Sequence, residues 1–272
     1  MNLLEYRSNV FSQKGEDGIL TQMLEVLGLA STWCVEFGAG DGCHLSNTRN
    51  LILSRGWSAV LIEANPARFA GLRATYAERP DIVCLERIVG LDPATNLDAI
   101  IATTPIPKEF ALLSIDIDGN DYHVWEDLTV YRPSIVVIEF NPTIPNAVDY
   151  VQPRDPEVYH GNSLRALVRL GRQKGYELVC STGLNGIFVR SKLFPRFAIA
   201  DNSIETLNQD QPLVTHLFVC YDGTIKLAGN RTLVWHRVAM HEEKMQALPS
   251  AERVFRGRLP NSPQSGNATE TA

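Results

Sequence analysis

With 272 residues, 44% of them hydrophobic and 21% charged, the chain can bury one sizeable core and a small appended unit. A formal net charge of −6 and the lack of any basic run argue against nucleic acid as a partner. No stretch approaches the roughly 18 apolar residues of a membrane span, and residues 1–15 lack an apolar centre, so neither membrane insertion nor export is expected. Five cysteines, at 34, 43, 84, 180 and 220, form no close Cys-x-x-Cys pair. They fit a reduced, cytoplasmic setting, with Cys34, Cys84 and Cys180 expected as core thiols.

Residues 1–30 form a covering segment in which Phe11-Ser12-Gln13-Lys14-Gly15-Glu16-Asp17-Gly18 precedes apolar residues at helical spacing. A helix is expected to begin near Glu16. Its acids either complement the helix dipole or bring the segment over a ligand pocket. From residue 33, apolar runs alternate with helical patterns. Strands are expected at Trp33–Phe37, 59–62, 82–85, 111–115, 135–138, 176–180 and 186–189, with helices at 47–55, 66–76, 96–102, 122–128 and 163–174. This alternation predicts an α/β fold whose parallel sheet is covered on both faces. Residues 181–185 leave room only for a turn, so the last two strands are expected to be antiparallel.

The long Pro- and aromatic-rich connection 141–162 follows the fifth strand and is expected to be a substrate-facing lid. The core domain thus spans 31–194. An extension at 195–257 should hold a β-hairpin turning at Asp222-Gly223 and a helix near 238–248, and 258–272 reads as a disordered tail.

Three stretches carry chemistry. The first, Glu36-Phe37-Gly38-Ala39-Gly40-Asp41-Gly42, ends a strand in glycines at alternate positions, where a ligand can lie against bare backbone. The second is Glu63-Ala64-Asn65-Pro66: a carboxylate at the second strand end can accept two vicinal ribose hydroxyls, while Asn65 caps the helix opened by Pro66. The third, Ser114 to Trp125, contains Asp116, Asp118, Asp121 and His123, and the neighbouring strand ends in Glu139-Phe140-Asn141. Adjacent strand ends lie about 5 Å apart, so Asp116, Glu139 and Asn141 could supply hard oxygen ligands to Mg²⁺ or Mn²⁺. Candidate bases are Asp118, His123 and His160. His123, one turn into a helix, could equally be structural.

The glycine loop resembles the cofactor loop of class I S-adenosylmethionine (SAM) dependent methyltransferases. The dinucleotide spacing Gly-x-Gly-x-x-Gly fails, because position 43 is Cys. With Phe-Ser-Gln-Lys-Gly-Glu-Asp-Gly and Ser46-Asn47-Thr48, the segment 12–190 resembles FkbM-type methyltransferases.

That resemblance implies a Rossmann-like, seven-stranded, mostly parallel sheet with an antiparallel last strand, followed by a small C-terminal extension. It places Gly38 and Gly40 beside the methionine part of SAM, Glu36 or Asp41 at its ammonium group, Glu63 with Ala64 at the ribose and Val89 at the adenine. Asp116 would stand beside the transferred methyl. The acid-plus-amide at Glu139 and Asn141 is similar to the cation site of metal-dependent catechol-type O-methyltransferases, although Phe140 intervenes.

The implied activity is O-methylation of a sugar, glycan or natural product, with a small-molecule or glycan acceptor and a homo-oligomer left open. Three other readings remain: an N- or C-methyltransferase, a NAD-dependent oxidoreductase, and a non-enzymatic SAM- or glycan-binding module.

Overall fold

A computed structural model describes residues 1–257. The chain divides into two compact units, Met1–Gln211 and a second from Pro212 onward. The expected tail at 258–272 lies outside the described residues.

The first unit is built on seven strands: β1 (Trp33–Phe37), β2 (Ser58–Glu63), β3 (Ile82–Glu86), β4 (Leu112–Ile115), β5 (Ile135–Glu139), β6 (Tyr176–Ser181) and β7 (Asn185–Arg190). Runs such as Ala59-Val60-Leu61-Ile62 and Ile135-Val136-Val137-Ile138 are buried throughout. Central parallel strands need this, because helices cover both faces and no side of the pleat is left to water.

The strand order is β3-β2-β1-β4-β5-β7-β6, with β7 antiparallel between β5 and β6. The antiparallel final pair expected from the short 181–185 connection is present, and β7 inserts beside β5 rather than extending the edge. Order reverses between β1 and β4, which opens a crevice at their carboxyl ends.

The helices that flank the sheet are α1 (Glu16–Leu27), α2 (Arg49–Arg55), α3 (Pro66–Thr75), α4 (Leu97–Ile101), α5 (Asp121–Asp127) and α6 (Leu164–Gln173), with a short α7 (Ile204–Leu207) behind β6. One face packs Trp125, Phe110 and Phe188; the other packs Met23, Trp57 and Phe197. Side-chain oxygens of Asn65, Asn96 and Ser163 cap α3, α4 and α6 by accepting backbone N–H bonds, so these helices begin where the sequence offers a capping residue.

Glu16 and Asp17 do more than open α1. Glu16 Oε1 accepts from Thr182 Oγ1 and Asn185 Nδ2 across the β6–β7 turn. Asp17 Oδ2 accepts from the backbone N–H groups of Val10, Phe11 and Ser12. Both acids are buried and serve to tie the N-terminal segment down.

In the second unit, β8 (Thr215–Val219) and β9 (Ile225–Gly229) pair as a hairpin closed at Asp222-Gly223, where Cys220 N–H donates to Thr224 O. β10 (Thr232–Leu233) pairs with β11 (Val238–Ala239). The helix expected at 238–248 is absent, and a single 3₁₀ turn spans Glu242–Met245. Side chains there bond outward to β9: Glu242 accepts from Leu227 N–H, and Gln246 exchanges bonds with Ile225. These contacts outweigh the helical pattern.

Candidate active site

A cavity of about 1060 Å³ opens at the carboxyl ends of β1 to β4. Its wall includes Glu36, Gly38, Gly40, Asp41, Glu63, Ala64, Val89 and Asp116, together with Asp118, and the connection after β5 contributes Arg154, Pro156 and Tyr159. His123, His160, Glu139 and Asn141 do not line it.

The glycine loop is shaped by close approach. Gly38 has φ +73°, and a Cβ there would stand 1.9 Å from the Asp116 carbonyl oxygen, so no side chain fits between β1 and β4. Gly40 has φ +58°, and a Cβ there would meet no protein atom within 4 Å. Backbone is thus bare at the cavity wall, and its N–H is fixed by Glu63 Oε2 at 2.8 Å. Glu63 Oε1 accepts from Asn65 N–H at 2.7 Å. Each oxygen of this buried carboxylate keeps a lone pair, which suits two vicinal hydroxyls.

Glu36, expected at an ammonium group, lines the cavity and is held by the turn that follows the loop. Its carboxylate accepts from Ser46 Oγ at 2.6 Å, Thr48 Oγ1 at 2.6 Å and Asn47 N–H at 2.8 Å. Burial raises its pKa while these bonds oppose the shift. Glu36 therefore holds the 46–48 turn in place. Because the turn is fixed in this way, α2 begins at Arg49 rather than at 47. Asp41 stays ionised: the His44 and Cys43 N–H groups and the His44 ring bond its carboxylate, and its pKa falls to about 2. Glu36 and Asp41 thus carry three hydrogen bonds each, and both line the cavity.

Carboxylate oxygens of Asp116, Asp118 and Glu139 lie within 4.8 Å of one another. Asp116 follows β4 and Glu139 ends β5, and the parallel register that pairs Ile115 with Ile138 sets them side by side. Asp116 is exposed, and it belongs to the concave wall of the cavity. Burial, and then the neighbouring acids, push both Asp116 and Glu139 well above the usual carboxylate range, and a protonated Glu139 donates to Asp116.

Asp121 is different. Its oxygens accept from Ile117 N–H and Gly119 N–H, both at 2.9 Å, and burial raises its pKa to about 6. These two bonds bracket Asp118, which is held at φ +59°, a left-handed conformation costing about 1–3 kcal/mol for a residue with a side chain.

Three expected roles are corrected. Asn141 turns away from the cluster: its Oδ1 accepts from Thr143 N–H and Oγ1, and its Nδ2 donates to His160 O. His123 is buried, with Nε2 bonded to Gln152 O at 2.9 Å, so it braces the connection after β5. His160 Nδ1 meets Tyr150 Oη at 2.7 Å on the exposed side of that connection. The connection itself is firmly tied, with the Gln152 side chain accepting from His160 and Gly161 N–H and donating to Val158 O.

The donor sets fit the expected groups unequally. Bare loop backbone, Glu63 and Asp41 fit SAM. Asp116, Asp118 and Glu139 fit a hard divalent cation, with Asp118 taking the place assigned to Asn141. The Asp-x-Asp spacing at 116–118 was the signal for that third ligand. Nothing in local spacing distinguished Asp121 as the acid that accepts from Ile117 and Gly119 N–H.

Residues 92–178 match the family model described as the methyltransferase FkbM domain. The matched segment, about a third of the chain, is similar to FkbM-type methyltransferases and carries Asp116, Asp118 and Glu139. No curated protein matches it. Among solved structures, the chain is similar to the citrinin polyketide synthase CMeT domain at 11% identity and TM-score 0.41, over 64% of this chain and 51% of that one. It thus spans about half of that relative's length. It is also similar to the N-terminal domain of EvdMO1, in a structure with SAH and D-fucose, at 14% identity and TM-score 0.42, over 68% and 91% of the two chains. A third similarity is to precorrin-6y C5,15-methyltransferase from Geobacter metallireducens, at 14% identity and TM-score 0.41, over 67% and 92%.

Proposed function

We propose that the enzyme methylates a hydroxyl group of a sugar, glycan or natural product. The observation that carries this reading is the close set of Asp116 and Asp118 at the cavity wall with Glu139 beside them, whose carboxylates accept no N–H bond among the described residues. Bound SAM supplies a methyl group activated by its sulfonium. Glu63 and the loop at Gly38 to Asp41 would orient that cofactor, and Asp116 would accept the proton that the acceptor hydroxyl gives up on methylation. Glu139 donates to Asp116 and positions it.

The same three carboxylates would hold Mg²⁺ or Mn²⁺, whose charge would lower the acceptor hydroxyl's pKa. Arg154, Pro156 and Tyr159 give the acceptor its wall, and the exposed Tyr159 ring suits the flat face of a sugar. The acidic charge and the free cysteines support a small-molecule or glycan acceptor met in the cytoplasm.

The test is SAM-dependent methyl mass gain across sugars, glycosides, polyphenols and amines, each with Mg²⁺ or with EDTA. Transfer to hydroxyls alone is expected. Transfer to amines or carbon alone would overturn the reading, and full activity in EDTA would remove the cation from it.

A further inference from the structure

Arg49 opens α2 immediately behind the glycine loop. Its guanidinium carbon lies 4.9 Å from the centre of the Phe11 ring and 5.8 Å from that of Tyr76. Arg49 Nη1 donates to the Gly42 carbonyl at 2.9 Å, and Tyr76 Oη donates to the same oxygen at 3.0 Å. One loop carbonyl thus takes both of its bonds from this sandwich.

The cation has no carboxylate partner among the described residues, and its buried Nε–H is unbonded. A half-buried guanidinium without an ion pair is not explained by its own contribution to stability. Its remaining interactions all lead to the loop.

The two sides of the sandwich come from distant parts of the chain. Phe11 belongs to the N-terminal segment and is fixed because Asp17 Oδ2 accepts its N–H at 2.7 Å. Tyr76 closes α3. Arg49 is fixed at its backbone, where its N–H donates to Ser46 Oγ, the same hydroxyl that donates to Glu36.

We propose that Arg49, stacked between Phe11 and Tyr76, is a positioning residue for SAM: it ties the glycine loop to the N-terminal segment and sets the backbone against which the cofactor lies. This rests on the loop being the SAM cradle. The segment 10–17 then acts on the cofactor from behind the loop. It does not cover the pocket, whose wall contains none of its residues.

Calorimetric titration of SAM into purified full-length protein tests the assignment, with thermal unfolding recorded in parallel. Arg49→Met is expected to weaken SAM binding about tenfold, the size of one desolvated cation–π contact. Arg49→Lys, which keeps the charge between the rings, should recover most of that loss. Phe11→Ala should weaken binding in the same direction, and Phe11→Ala with Arg49→Met should lose little more than Arg49→Met alone. Phe11→Ala also serves if Arg49→Met fails to fold. A purely structural role would lower the unfolding temperature while the folded fraction kept wild-type affinity, and that result in either variant would overturn the proposal. If the wild-type protein itself bound no SAM, the cofactor reading would fall and the proposal with it.

Discussion

Glu36 and Glu63 on β1 and β2 face the same cavity edge as Asp116 beyond β4, with Glu139 at the end of β5, yet the two pairs are held in opposite ways. Glu36 takes three hydrogen bonds and Glu63 two, all from the protein's own N–H and O–H groups. Asp116 and Glu139 have only each other, with no N–H or hydroxyl donor from elsewhere among the described residues, and their charges are disfavoured. A carboxylate bonded to loop backbone preorganises a binding surface. One left against another carboxylate stores electrostatic repulsion that a proton or a cation relieves. The glycine-loop half of the cleft is therefore finished in the folded chain, and on the proposed function the acidic half is left for chemistry.

Substitutions on the two sides should separate binding from turnover. Asp116→Asn should lower methyl transfer by about 10²–10⁴-fold with SAM affinity within a few fold, measured by single-turnover kinetics beside calorimetry. Wild-type turnover would remove Asp116 from the chemistry. Glu63→Ala should do the reverse, weakening SAM about 10–100-fold because two ribose partners and the Gly40 anchor are lost, with the rate at saturating SAM largely kept. Glu36→Gln should cost about 1–3 kcal/mol of stability in urea, since an amide cannot satisfy all three donors to Glu36.

The smallest effect should appear as a pH dependence. Asp116 and Glu139 titrate higher in the folded chain than in the unfolded one, so the folded chain binds more protons and stability falls as pH rises above the ordinary carboxylate range. Asp121, raised to about 6, acts in the same direction between roughly pH 4 and 6. Glu139→Gln should therefore be more stable than wild type at pH 8 and not at pH 4, by urea midpoints at each pH. Equal midpoint differences at both would show that the pair is not strained.

Much of the fold is legible in the residues. The buried runs at 58–63 and 135–139 declare parallel strands because only β-branched and aliphatic side chains suit a pleat covered on both faces. Asn65-Pro66 declares the start of α3 through its own capping chemistry. The helix expected at 238–248 fails for the opposite reason: Glu242 and Gln246 find partners on β9 that no local pattern encodes. Site residues divide along the same line. Glu63 and Asp116 could be placed from strand-end position alone, whereas the roles of Asn141, His123 and His160 turned on how the connection after β5 folds back on itself.

By itself, the sequence determined the alternation of strands and helices, the glycine loop, and which strand ends carry acids, because each depends on side-chain period or on glycine's missing Cβ within a few residues. Only the tertiary structure decided which acids are spent. Glu36 meets Ser46 and Thr48 across a turn, Asp121 brackets Asp118, and Arg49 meets Phe11 from the far N-terminal segment. Hydrogen bonding and desolvation depend on neighbours in space, and those neighbours leave Glu36 and Glu63 bonded to loop backbone and hydroxyls while Asp116 and Glu139 face each other.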